Sequence, residues 1–378
     1  MRINGKNFIY QIEYNDSEPY SDKLSEVQSL LDSCGTLVGF NLKFDLNWLR
    51  RYGLKYNRCR VFDLQLVEFI LAGQRPAFPS LDGCLAKYGL GAKYDIVARE
   101  YWDRGIDTPE IPLEILIPYL EEDLRLEDEL YRHLQSVTPK SLVPLINLGN
   151  QDLLVLHEME VNGLKINWDK LKVKADETQK NLEVVRASIL ESYVPSEYRE
   201  WFNVESGEHL SALLFGGTIT RKVGTPYEHC FKTGQRAGET VTRYKWETTS
   251  YRFKPMCSPP TGSELKKEGV WSTDEETLKS LRQPRKLTDL ILKYAELSKL
   301  LNTYLNGLVK IRDDYDWKDG MLHGTFNQCR VITGRLSSEK PNQQNFPPEI
   351  DEYINLDASG DHRGKILPVS PEVNLITC

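Results

Sequence analysis

The chain has 378 residues, of which 40% are hydrophobic and 27% charged, and its formal net charge is −7. This length allows two or three domains, and the composition is that of an ordinary soluble protein. No apolar run reaches the roughly 18 residues of a membrane span, and the first residues lack a signal core. The acidic balance argues only weakly against a nucleic-acid partner, because phosphate contacts depend on local basic surface.

The seven cysteines include no C-x-x-C pair, and their number is odd. This pattern favours reduced thiols over a disulfide framework or a zinc site. We therefore expect a cytoplasmic protein.

The first 140 residues alternate short apolar runs with helical spacing, which indicates an α/β domain. Within it, Pro118 suits the first turn of a long helix. The strands are predicted at 8–14 and 37–41, and the helices at 22–33, 46–52 and 118–135.

The next region, 141–320, is mostly helical. A helix is predicted over 150–163, because Asn162-Gly163 is a typical stop signal. Asn167 can cap a second helix, and Ser272 to Glu275 carry the spacing of a capping box. A third long amphipathic helix is predicted over 290–308.

Two pairs of polar residues have the spacing of one helical turn. Asn41 and Asp45 straddle a predicted strand end and helix start, and Tyr119 and Asp123 share one helix face. Carboxylates gathered around two cations hydrolyse phosphodiesters, and their hard oxygen ligands suit Mg²⁺ or Mn²⁺. In isolation, an Asp in the first turn of a helix is more often a capping or dipole residue.

The run TGRLSSEKPNQQNFP, Thr333 to Pro347, resembles the signature at the entry to the palm of family A DNA polymerases. Upstream, N-x-x-x-D, VFDLQLVEFIL, PSLDGCLAKYGLG and Y-x-x-x-D follow in the order found in the proofreading domain of that family. FNVESGEHLSALLF, residues 202–215, resembles a segment of its thumb.

The resemblance implies an incomplete RNase H-like 3′–5′ exonuclease domain over 1–140. A mostly helical thumb over 141–320 and the first strands of a palm over 321–378 would follow. It assigns catalytic roles to Asn41, Asp45, Tyr119 and Asp123, with Asp45 and Asp123 as ligands of Mg²⁺ or Mn²⁺. Asp63 matches a recurrent Asp before a helix, which we interpret as structural.

The family carries a further Asp-x-Glu pair on an initial strand. Glu13 and Asp16 lie too close to Asp45 to match it. We therefore expect the two-metal site to be incomplete and the exonuclease activity of this chain to be slight.

The same resemblance places Arg335 along the minor groove near the primer terminus, where a guanidinium can test base-pair geometry. The other positions that match DNA contacts are Gln328, Thr333, Asn342, Gln344 and Asn345. For the Asn and Gln side chains among them, the competing interpretation is an ordinary hydrogen bond to the backbone.

Residues 218–268 are longer than expected for such a thumb and hold ten Lys or Arg against five Glu. The alternation in TVTRYKWET predicts a strand with Tyr244 and Trp246 on one face and basic residues on the other. One interpretation of this segment is a hairpin that packs on the thumb. The other is a functional surface, either a basic flap over DNA or a docking surface for a processivity factor.

Residues 364–378 resemble the strand that leads to the first polymerase carboxylate of the family. We expect part of a DNA-directed DNA polymerase, with a phage or mobile-element origin left open, that acts in replication but does not polymerise by itself. A second chain carrying the rest of the palm and fingers would then be a partner. The alternative is a non-catalytic DNA-binding subunit or a fragment of a split polymerase.

Overall fold

A computed structural model describes residues 1–12, 21–93, 96–230, 239–317, 320–351 and 353. The chain forms two compact units, one of Met1–Ile166 with Trp317–Cys378 and one of Asn167–Asp316. The boundary predicted near residue 141 thus falls inside the first unit. Among the helices of the described residues, none is long and apolar enough to cross a bilayer.

The chain starts with a small antiparallel hairpin of β1 (Arg2–Ile3) and β2 (Lys6–Asn7). Asn4 and Gly5 both have positive φ, which is the backbone that a tight hairpin turn requires. The strand predicted at 8–14 is wrong over residues 8–12, which are not in a strand. Residues 13–14 lie outside the described residues, as do Glu13 and Asp16.

Helices and strands then alternate as the sequence predicts. β3 and β4 pair in parallel, with Thr36 opposite Arg60 and Gly39 opposite Asp63. A parallel pair needs a crossover connection, and α2 supplies it. The elements are α1 (Ser21–Ser33), β3 (Thr36–Gly39), α2 (Lys43–Arg51), β4 (Arg60–Asp63) and α3 (Leu64–Leu71).

The core of the first unit forms where α3 packs against a long helix. Leu126, Leu130 and Leu134 recur every four residues on that helix, are buried, and share a cluster with Leu64 and Val67. Pro118 lies inside the helix, not in its first turn. The elements are α4 (Leu81–Tyr88), α5 (Ile96–Glu100), α6 (Leu113–Val137), α7 (Val143–Asn162) and β5 (Leu164–Lys165).

The second unit combines helices with one long antiparallel hairpin. Asn167 caps its first helix by accepting a hydrogen bond from the Lys170 amide at 3.1 Å, as predicted. Asp274, rather than Ser272, caps α10. The elements are α8 (Trp168–Tyr193), α9 (Gly207–Phe215), β6 (Gly217–Cys230), β7 (Thr240–Phe253), α10 (Glu275–Ser280), α11 (Arg285–Lys299) and α12 (Asn306–Asp314).

The helix predicted at 290–308 is not regular throughout, because a π-helical stretch, Leu300–Leu305, joins α11 to α12. Gly307 lies just beyond it, and a Cβ there would stand 2.9 Å from the Asn302 carbonyl oxygen. The wide turn therefore needs a residue without a side chain at this position.

The chain then returns to the first unit. β8 pairs with β5, and β9 and β10 form an antiparallel hairpin with Asn327 opposite Ser337. The strand predicted within 364–378 lies outside the described residues. The elements are β8 (Met321–Leu322), β9 (Thr325–Asn327), β10 (Ser337–Glu339) and α13 (Pro348–Asp351).

Candidate functional site

Asp63 joins the two parallel strands at their carboxyl ends. Its carboxylate accepts the Leu42 amide at 2.7 Å and the Leu66 amide at 3.0 Å, so it ties the start of α2 to that of α3. Its own amide donates to Asn150 on α7 at 2.7 Å. Burial raises the pKa of this carboxyl, and the backbone donors oppose the shift. The structural interpretation of Asp63 is confirmed.

Asp45 lies in the first turn of α2, beside the end of β3. A Cβ on Gly39 would approach the Asp45 Oδ2 to 3.2 Å, so this glycine leaves room for the carboxylate. Although the residue as a whole is exposed, its carboxyl group is crowded. Burial, with the Asp63 charge, raises the pKa of Asp45 to about 6. Asn41, four residues earlier, is exposed and has φ +60°.

The predicted pair on α6 comes with a third polar residue that the sequence did not single out. Tyr119, Asp123 and Glu127 follow one another at intervals of four, so they share a helix face. Burial raises the pKa of Glu127 to about 8, with the charges of Asp45 and Asp123 acting in the same direction. The structure therefore brings Asp45 and the α6 residues into one acidic cluster.

Lys93, from the segment between α4 and α5, enters this cluster. Its Nζ lies 3.3 Å from the Asp123 Oδ2 and 5.8 Å from the centre of the Tyr119 ring. Burial opposes its charge, but Asp123 and Tyr119 outweigh that effect and raise the pKa of Lys93. The Asp123 Oδ1 is buried and has no hydrogen-bond partner among the described residues.

These residues do not fit a two-metal centre as arranged. Across the described part of the chain, no three His, Cys, Asp or Glu side chains are grouped in a way that could hold a metal ion. The Lys93 ammonium already neutralises Asp123, the side chain that the sequence assigns to a cation. Among these side chains, the Lys93 ammonium occupies the place beside Asp123 that a divalent ion would need.

The hairpin of β9 and β10 presents the residues of the TGRLSS motif. A turn between Val331 and Gly334, closed by a 2.9 Å hydrogen bond, leads into Arg335. Thr333 and Arg335 are exposed. Within the described residues the Arg335 guanidinium makes no hydrogen bond and no ion pair. Arg330, in the loop after β9, pairs with Glu339 of β10 at 3.0 Å. A planar donor group thus stands free at the loop.

The amide side chains around this hairpin behave differently from one another. Gln328 donates to the Gly149 carbonyl of α7 at 2.9 Å, which is the backbone role considered for it. Asn342 accepts from the Gln344 amide at 3.2 Å and so shapes its own turn. Gln344 and Asn345 are exposed. Their contacts with DNA stay predictions.

A part-buried ion pair holds β9 against the helices of the same unit. The Lys43 ammonium lies 2.6 Å from the Glu160 carboxylate and 2.5 Å from the Phe326 carbonyl oxygen. Glu160 also accepts from the Phe326 amide at 2.6 Å. The amide and the carbonyl of Phe326 therefore both form hydrogen bonds with side chains of α2 and α7. These bonds hold the start of the hairpin in place.

Comparisons with known proteins show which proteins this chain resembles. Residues 251–375 match the model of DNA polymerase family A. The chain is 27% identical to DNA polymerase I of Bacillus subtilis (strain 168), over 70% of this chain and 23% of that protein. It is 26% identical to DNA polymerase I of Synechocystis sp., over 82% of this chain and 27% of that protein. The chain thus spans about a quarter of these relatives.

A solved structure gives a likeness of fold. It is the POL domain of Pol1 from M. smegmatis in complex with DNA primer-template and dNTP, at a TM-score of 0.60 and 18% sequence identity. The likeness covers 88% of this chain and 48% of that one. At such identity it shows the fold alone.

Proposed function

We propose that this chain, which belongs to DNA polymerase family A, binds primer-template DNA as part of a DNA-directed DNA polymerase acting in replication. The observation that supports this most directly is the exposed Arg335 at the end of a loop whose strands are anchored by Phe326. A guanidinium without an internal partner is ready to bind an external acceptor.

Arg335 would contact base edges in the minor groove. That groove offers acceptors at every base pair, so a fork of donors placed there senses pair geometry and not sequence. Thr333 beside it, and Gln344 and Asn345 further along, are exposed polar groups that can bind sugar and phosphate oxygens. No step of nucleotidyl transfer is assigned to residues of this chain.

For the acidic cluster we propose a degenerate 3′–5′ exonuclease site that does not work as a two-metal centre. By sequence resemblance, Asn41, Asp45, Tyr119 and Asp123 match the exonuclease positions of the family. The Lys93 ammonium, however, is held against Asp123. Because that ammonium repels a divalent ion at the same carboxylate, the cluster would grip little Mg²⁺ or Mn²⁺. This favours a DNA-binding role over a proofreading one for the first unit.

The duplex-binding proposal is tested with the full chain and a fluorescent primer-template, without divalent metal. We expect binding that weakens steeply as salt rises, because phosphate contacts release counterions. Duplexes of unrelated sequence should bind alike. Absence of binding at low salt would refute the proposal.

The exonuclease proposal has a separate assay. We expect little digestion of a 3′-labelled strand in the presence of Mg²⁺ or Mn²⁺. Robust digestion that disappears in Asp123→Ala would show that the cluster is an active nuclease and that Lys93 does not block it.

A further inference from the structure

The hairpin of β6 and β7 is a long two-stranded ribbon whose described residues pack on the rest of the second unit at its base. Each strand has 14 residues, and the register pairs Gly217 with Phe253 and Cys230 with Thr240. At the base, Phe253 is buried, and the Tyr251 ring lies 4.1 Å from that of Tyr198. Beyond this footing most ribbon side chains are exposed, although a lone two-stranded ribbon is only marginally stable in water.

The two faces of the ribbon differ, as the sequence predicts. Opposed residues of an antiparallel pair lie on one face, so the register places Tyr244 and Trp246 together and puts Arg243 and Lys245 on the other side. The aromatic side chains project from the same face as Lys222.

On this face, Trp246 is 63% exposed and Tyr244 is 55% exposed. Their ring centres lie 6.0 Å apart, with planes tilted by 33°. Gly224 stands opposite Trp246, and a Cβ there would come within 3.1 Å of the indole. The indole therefore rests on bare backbone and offers its outer surface to a ligand.

Charge identifies the kind of ligand that this face suits. Of the five basic and two acidic side chains of the two strands, Lys222, Arg252 and Glu228 lie on this face, which leaves it with one net positive charge. Lys222 and Arg252 lie on the aromatic face and, within the described residues, form no ion pair. Flat aromatic rings followed by unpaired cations toward the base of the ribbon match a chain of bases and phosphates better than they match an apolar protein surface.

We propose that this aromatic face binds single-stranded nucleic acid. Unpaired bases stack on Trp246 and Tyr244. Lys222 neutralises the phosphate next to them, and Arg252 neutralises one further along the same strand toward the base of the ribbon. The rings lie two residues apart along one strand, so each can receive a separate base. Stacking needs only a π-face, so the binding is indifferent to sequence. The site belongs to the second unit and does not depend on Arg335.

The test measures the affinity of the full chain for fluorescein-labelled oligothymidylate by anisotropy. Trp246→Ala and Tyr244→Ala should each weaken binding roughly tenfold, and Trp246→Phe much less, because it keeps a ring. Lys222→Gln should lower the slope of affinity against salt by about one. Tyr227→Ala is the matched control, since Tyr227 is 45% exposed on the opposite face of the same ribbon.

Equal affinity for the single strand in wild type, Trp246→Ala and Tyr244→Ala would overturn the proposal. So would an equally large loss in Tyr227→Ala, which would remove the distinction between the faces. Blunt duplex measured in parallel separates this site from the duplex proposal. A chain that binds oligothymidylate through Trp246 but no duplex would refute only the latter.

Discussion

The ammonium nitrogen of Lys93 lies 3.3 Å from the Asp123 carboxylate, inside a cluster that also contains Asp45 and Glu127. Burial raises the pKa of Asp123, and the Lys93 charge offsets only part of that effect. An internal lysine thus supplies the positive charge that such carboxylates otherwise take from solution. Its removal should change what the cluster binds.

Lys93→Met is expected to increase the affinity of the chain for Mn²⁺ by about tenfold or more, because the variant loses a repelling charge and frees Asp123. Free Mn²⁺ is followed by electron paramagnetic resonance during titration. Lys140→Met, at an exposed lysine, is the control for the change in net charge. Equal Mn²⁺ affinity in Lys93→Met and wild type would show that the Lys93 ammonium does not weaken metal binding by the cluster.

Glu127 should make the first unit less stable as pH rises. Its ordinary pKa is 4.5 and its folded value about 8, so between these values the folded state keeps a proton that the unfolded state has released. Stability therefore falls with rising pH through that window. The carboxyls of Asp45, Asp63 and Asp123 and the ammonium of Lys93 face this group.

Urea unfolding at about pH 5 and about pH 8 measures this effect. Between these two pH values, the free energy of unfolding of the wild type should fall by on the order of 2–4 kcal/mol more than that of Glu127→Gln, because the side-chain amide of the variant stays neutral. Glu129→Gln on the same helix is the control, because Glu129 is paired with Arg125. A wild type and Glu127→Gln with the same pH dependence would contradict the raised pKa.

The sequence could reveal part of this cluster and not the rest. Tyr119 and Asp123 stand one helical turn apart, and Glu127 lies one further turn along the same face. Glu127 is not part of the Y-x-x-x-D motif, so the motif alone did not identify it. Lys93 carries no such signal, because it lies between two helices and only tertiary packing brings it to Asp123. Pro118 favoured a helix start at its own position, but the helix begins at Leu113.

Lys43→Met should destabilise the first unit by about 2–4 kcal/mol, because it leaves a largely buried carboxylate without its cation. The Lys43 and Glu160 side chains are 14% and 12% exposed at a separation of 2.6 Å. Arg50 and Glu158, on the same two helices and also 2.6 Å apart, are 36% and 46% exposed.

Arg50→Met is therefore a matched control, expected to cost at most about 1 kcal/mol. Both free energies of unfolding come from urea titration, and the Lys43→Met and Glu160→Gln double variant should recover part of the loss. Similar costs for Lys43→Met and Arg50→Met would show that burial does not distinguish the pairs.

This anchor also marks a limit of sequence reasoning. The motif at Thr333 to Pro347 pointed to the β9–β10 hairpin, and the backbone role considered for Gln328 is what the structure displays. Lys43, Glu160 and Phe326 are far apart in the chain and match no motif. The contacts among these three residues depend on how α2, α7 and β9 pack, which no local sequence pattern predicts.

The central claim is that the exposed Arg335 holds primer-template DNA. Its most direct test is the equilibrium affinity of Arg335→Ala for a primer-template duplex, beside Arg335→Lys and Arg330→Ala. We expect Arg335→Ala to lose tenfold or more in affinity and Arg335→Lys to lose part of it. Arg330→Ala should change affinity by no more than about twofold, since Glu339 already holds that guanidinium. Wild-type affinity in Arg335→Ala would contradict the account.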